Sequence, residues 1–110
     1  MGRSKAMFSP AYADRVIYAY GGHGDLVAMN AESGEINWTY KSGKSGYSSP
    51  AIGNNMIYIG TNDGEIHIVN TSSGHQHQVL STGGSITGQL VLAEGRLYAA
   101  SRDGSLYVFE

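Results

Sequence analysis

Met56-Ile57-Tyr58-Ile59-Gly60-Thr61-Asn62-Asp63-Gly64-Glu65-Ile66-His67-Ile68-Val69-Asn70 is the stretch from which the fold is read. Its first five residues are mostly β-branched or aromatic and too few for a helix. Asn62-Asp63-Gly64 is turn chemistry, with a glycine able to take positive φ. Glu65 to Asn70 then alternates polar and apolar, the period of a strand. The stretch therefore predicts a hairpin. On its N-terminal side, Ser49-Pro50-Ala51-Ile52 is a short apolar piece closed by a turn, Gly53-Asn54-Asn55. On its C-terminal side, Thr71-Ser72-Ser73-Gly74 turns the chain into a fourth, weaker strand from His75 to Leu80. A Gly-rich connection, 81–88, follows.

This four-strand unit recurs. Ile17-Tyr18 returns as Ile57-Tyr58 and as Leu97-Tyr98, each 40 residues on. Ser9-Pro10 returns as Ser49-Pro50, and Asn30-Ala31-Glu32-Ser33-Gly34 as Asn70-Thr71-Ser72-Ser73-Gly74. A unit of this length cannot bury its apolar faces alone and stacks on its copies. The second strand of each unit (Val16 to Ala19, Met56 to Ile59, Leu97 to Ala100) is apolar at nearly every position. Such a strand belongs to a sheet covered on both sides. The sequence thus predicts an all-β protein, with β-propeller blades of four antiparallel strands. A linear β-solenoid usually has shorter coils and fits less well. The units read as a tail or linker over 1–8, a first repeat over 9–48, a second over 49–88 and an incomplete third over 89–110.

Composition narrows the function. The chain has 110 residues and a net charge of −2, with its few basic residues scattered, so nothing favours nucleic acid or an anionic membrane surface. It has no cysteine, which removes disulfides and thiol chemistry. No apolar run is long enough to span a bilayer, and 1–8 has no apolar segment of signal-peptide length.

Ala28-Met29-Asn30-Ala31-Glu32-Ser33-Gly34-Glu35-Ile36-Asn37-Trp38 closes the first unit. It resembles the tryptophan-docking repeat of quinoprotein-like propellers, the pyrroloquinoline quinone (PQQ)-type repeat, Ala-x-Asp-x-x-Thr-Gly-Lys-x-x-Trp. Asn30 stands for Asp, Ser33 for Thr and Glu35 for Lys. The resemblance implies that Ser33-Gly34 forms the turn between third and fourth strands and that Trp38 packs between neighbouring blades. Ala28, Asn30, Ser33, Gly34 and Trp38 are therefore expected to be structural. The second unit departs from the pattern with Gln78 at the Trp position, so its blade contact is expected to be different or weaker. The first departs with His23-Gly24 in place of Asp-Gly. The family includes the outer-membrane assembly lipoprotein type and repeat domains attached to sensors and kinases. By that resemblance the compartment is expected to be periplasmic or extracytoplasmic.

The third unit supplies three strands, expected over 89–93, 96–101 and 105–109, with no outer fourth strand. About two and three-quarter blades are expected, and that number cannot close a ring. The expectation is the C-terminal part of a larger propeller, joined by the remaining blades of the parent or by self-association. Three copies would supply about eight blades' worth of strands.

In an up-and-down blade, alternate loops lie on one face. The connection 42–48 should share a face with the turns near His23, Asn62-Asp63 and Arg102-Asp103, a face that commonly carries binding in propellers. His23, Lys44, Tyr47, Asn62 and Arg102 are the candidate interaction residues. Asp63-Gly64 and Asp103-Gly104 lack the oxygen-ligand spacing of a calcium loop. By strand alternation, His67 should point away from His75 and His77, leaving too few ligands for tight zinc. No serine sits in a nucleophile-elbow sequence, and Gly21-Gly22-His23-Gly24 has neither the Lys-Ser/Thr nor the helix of a phosphate loop. The expected function is a non-catalytic scaffold for protein or peptide partners, with no cofactor. The competing expectation is part of a PQQ-dependent dehydrogenase, in which calcium and a catalytic Asp act with the quinone.

Overall fold

The computed structural model describes residues 10–20, 24–44, 50–86 and 90–109. Among the described residues, eleven antiparallel strands form three sheets. The first blade holds β1 (Ala11–Ala13), β2 (Val16–Tyr20), β3 (Asp25–Asn30) and β4 (Ile36–Lys41) in that order. The second holds β5 (Ala51–Gly53), β6 (Met56–Gly60), β7 (Glu65–Asn70) and β8 (Gln76–Ser81). The third holds β9 (Val91–Ala93), β10 (Arg96–Ala100) and β11 (Leu106–Phe109). The inner strands are neighbours, β1 touching β5 and β5 touching β9, so the sheets stack as blades of a partial β-propeller.

Register repeats with the sequence. Tyr18 faces Ala28 as Tyr58 faces Ile68, and a bulge falls at Ala28/Met29 in the first blade and at Ile68/Val69 in the second. The first two strands of every blade are joined by two residues of positive φ: Asp14-Arg15, Asn54-Asn55 and Glu94-Gly95. Two such residues make the turn whose twist matches the flanking strands. Three strands start later than the sequence suggests, β9 among them at Val91. β8 begins at Gln76 because His75 belongs to the turn, its N–H donating to Ser73 Oγ at 3.2 Å and its carbonyl accepting from Asn70 N at 3.0 Å. β11 begins at Leu106 because the Ser105 N–H donates to Asp103 Oδ1 at 2.8 Å.

Each sheet has a forward face, toward the next blade, and a rear face, toward the previous one. Tyr18, Tyr20, Leu26 and Ala28 on the forward face of the first blade pack on Ile57, Ile59 and Val69 on the rear of the second. Ile66 and Ile68, forward in the second, pack on Leu97 and Ala99 of the third, with Ile86 and Leu90 alongside. Strict alternation in β6 and β7 thus feeds two cores at once, which is why these strands read as continuously apolar. Each fully buried Ile or Leu contributes about 1.5–3 kcal/mol of transfer free energy.

Candidate interaction face

The turn at 30–34 shows what the repeat motif does. Asn30 Oδ1 accepts from the N–H groups of Glu32 and Ser33, both at 2.9 Å, and Ser33 Oγ accepts from Glu35 N at 3.2 Å. Asn70 and Ser73 repeat these bonds in the second blade. Gly34 and Gly74 take φ of +79° and +75°, where a side chain would be strained. Trp38, on β4, crosses to the next blade. Its Nε1 donates to Thr71 O at 2.8 Å, and its ring lies so close to Gly74 that a Cβ there would meet the indole at 2.6 Å. Ala28 is fully buried beneath it.

A second contact crosses the same seam. Tyr40 Oη and His67 Nδ1 share a hydrogen bond of 2.7 Å, Tyr40 donates to Gln76 Oε1 at 3.0 Å, and His67 Nε2 lies 2.9 Å from Glu65 Oε1. Burial, then the nearby charge of Glu65, raises the Tyr40 hydroxyl above its ordinary range. Local pattern cannot announce this network, because its members are 27 and 36 residues apart. His67 points into the first seam while His77 lines a groove on the other side of the sheet.

The loop face is built by connections that cross from one blade to the next. Ser42 donates from both N–H and Oγ to Gly24 O, at 2.9 and 2.8 Å, and Thr82 does the same to Gly64 O. Lys44 reaches the second blade, its Nζ 2.7 Å from Asp63 Oδ2. The bond and charge of Asp63 hold the Lys44 ammonium above its ordinary value, and Lys44 in turn holds the Asp63 carboxyl below its own. Tyr20 donates to Lys44 O at 2.7 Å. Ser85 Oγ donates to Asn62 O, and Ser85 O accepts from Arg102 N at 2.8 Å. Lys44, Asn62 and Arg102 thus form one belt across three blades. Asn62 Oδ1 is buried without a hydrogen-bond partner among the described residues. On the same rim, Asp103 accepts from Tyr107 Oη at 2.6 Å, a bond that lowers the carboxyl and raises the phenol. His23 and Tyr47 lie outside the described residues.

The family described as outer membrane protein assembly factor BamB matches residues 2–85. The chain belongs to this family of PQQ-type repeat β-propellers. Among solved structures it is similar to BamB from Moraxella catarrhalis, at 26% identity and a TM-score of 0.79, over 91% of this chain and 32% of that one. The computationally designed Ika4 protein aligns at a TM-score of 0.87 and 14% identity, over 98% of this chain and 68% of that one. The quinohemoprotein alcohol dehydrogenase ADHIIG from Pseudomonas putida HK5 aligns at 0.76 and 18%, over 86% and 16%. These last two share the fold. The chain thus spans about a third of the length of the BamB it resembles. No curated protein matches the sequence.

The sequence offers no cysteine, and among the described residues no group of three or more His, Asp or Glu is placed to hold a metal ion. Among the described residues no helix is long and apolar enough to cross a membrane.

Proposed function

We propose that this chain is a non-catalytic propeller module that binds a protein or peptide partner through its loop face. One observation carries the reading: Asn62 Oδ1, beside the Lys44–Asp63 ion pair, is a buried acceptor without a hydrogen-bond partner among the described residues. A buried polar atom without a partner is rare and costs about 1–3 kcal/mol, so a ligand N–H that satisfied it would bind with that advantage. The motif residues Asn30, Ser33, Gly34 and Trp38 are engaged in scaffold contacts, which leaves recognition to the turns. The name of the matching family, an assembly factor, supports a protein partner over a small molecule.

Selection of displayed peptides on the immobilised chain tests this. Selected peptides should lose at least about tenfold in affinity, about 1.4 kcal/mol, for the Lys44→Ala/Arg102→Ala variant. Equal binding to both forms would place recognition elsewhere. Titration with PQQ and calcium tests the dehydrogenase alternative; a saturable spectral change would favour it.

A further inference from the structure

The seam between the first and second blades encloses a short chain of polar groups. Tyr40, on β4, reaches across to His67, on β7, and to Gln76, at the start of β8. His67 is 5% exposed, Tyr40 half-buried and Gln76 exposed, so the chain runs from the interior to the outer strand of the second blade. Glu65 closes its inner end, with Oε1 2.9 Å from His67 Nε2. The strands on either side of β7 place Ile59 and Val79 opposite His67, and neither titrates. Beyond Glu65 stands Lys44, whose ammonium Glu65 helps to raise and which is paired with Asp63; Tyr20 flanks Tyr40.

The number of hydrogens available decides what this chain can do. A carboxylate only accepts, so the contact with Glu65 keeps a hydrogen on His67 Nε2 whatever the charge of the ring. Tyr40 has one hydrogen to give. Burial, then the charge of Glu65, holds its phenol above the ordinary range, so that hydrogen stays in place near neutral pH. The hydroxyl therefore donates to only one of its two partners. If it donates to Gln76 Oε1 at 3.0 Å, the 2.7 Å contact needs a hydrogen on His67 Nδ1, and the ring is then an imidazolium. If the ring is neutral, Nδ1 is bare and takes the Tyr40 hydrogen. Gln76 must then turn its amide so that its nitrogen donates to Tyr40. The two ends of an amide have nearly the same shape, so the turn needs no repacking.

We propose that the Tyr40–His67–Gln76 chain is a proton-operated switch in the first seam. One proton taken from solvent at His67 Nδ1 reverses both hydrogen bonds of Tyr40 and turns the Gln76 amide. The exposed outer strand then offers an amide N–H donor when His67 is charged and a carbonyl acceptor when it is neutral. Histidine is the side chain whose charge ordinarily changes between about pH 5 and 8. The switch uses neither Asn62 nor Arg102, so it and the loop-face reading can fail separately.

Nitrogen-15 NMR of the labelled chain from about pH 8 to about pH 5 tests it. At the high end the His67 ring should carry its hydrogen on Nε2 and none on Nδ1; at the low end both nitrogens should carry one. The Gln76 side-chain amide should shift with the same midpoint as the His67 ring. His75 and His77 are titratable neighbours of Gln76 in the chain, so His75→Gln/His77→Gln serves as the control and should leave that shift in place. Tyr40→Phe should abolish it, and the backbone amide spectrum shows whether that variant keeps its strands. His67→Gln, which keeps the size and polarity of the site, is the second variant and should abolish it too. A neutral His67 with its hydrogen on Nδ1, or a ring whose charge does not change over this range, would overturn the proposal. So would a Gln76 shift that survives in folded Tyr40→Phe or disappears with His75 and His77.

Discussion

The two seams between blades are built from the same positions and closed differently. At the first, Trp38 lies over Gly74, donates to Thr71 O, and sits 5.9 Å from the ring of Tyr18, while Tyr40 engages the buried His67. At the second, Gln78 stands where Trp38 would be and is exposed, and Leu80 replaces Tyr40. A cavity of about 560 Å³ opens there between Met56, Tyr58, Gln78, Leu92, Leu97 and Phe109. The second seam instead gathers apolar burial nearer the loop face, through Ile86 and Leu90. Both seams thus share an aliphatic centre, and the first is closed at its rim by Trp38 on the Thr71 to Gly74 turn.

Removing the rim anchor should have the largest effect. Trp38→Ala is expected to cost about 3 kcal/mol, toward the lower end for a large aromatic because the ring is half-buried. Urea unfolding would show it as a lowered midpoint; a loss under ~1 kcal/mol would mean that the indole closes nothing. The turn glycines sharpen the contrast. Gly34→Ala meets open space and should cost only the left-handed conformation, about 1–2 kcal/mol. Gly74→Ala bears the same strain and also drives a methyl into the indole, so it should cost clearly more. Equal losses would show that Trp38 is not seated on that turn.

Filling the cavity of the second seam is the gain-of-stability test. Gln78→Trp should stabilise by about 1 kcal/mol, as cavity filling commonly does. Thermal melting would read this as a rise of roughly 4–8 °C, and no rise would mean that an indole cannot use the space. The smallest effect belongs to the ion pair at the loop rim. Asp63 is held below its ordinary 3.8, so its contribution is present above that value and fades as the pH falls through the lower, folded-state value. Asp63→Asn should flatten the acid limb of the stability curve slightly, since both partners are about half exposed.

The two seams also show what was legible in sequence. The 40-residue register, the continuously apolar second strands and the Asn-x-x-Ser-Gly turns gave the blades, because each is a local pattern. The substitution of Gln78 for Trp was legible as a departure from the motif. The Tyr40–His67–Gln76 contact was not legible, because no local period ties residues on separate sheets. Nor was the use of Asp14-Arg15 as a positive-φ turn, since neither is a glycine or asparagine and only the repeat alignment with Asn54-Asn55 suggests it. On the loop face, sequence named Lys44, Asn62 and Arg102 as neighbours by topology. It could not show that Lys44 is paired with Asp63 or that Asn62 Oδ1 has no partner among the described residues.

The docking of one blade on the next is the central claim, and a nuclear Overhauser measurement between the single tryptophan and Gly74 tests it most directly. The account predicts strong cross-peaks from the Trp38 ring protons to the Gly74 α-protons, with the indole N–H protected from exchange by Thr71 O. Absent cross-peaks and a freely exchanging indole N–H in the folded chain would contradict it.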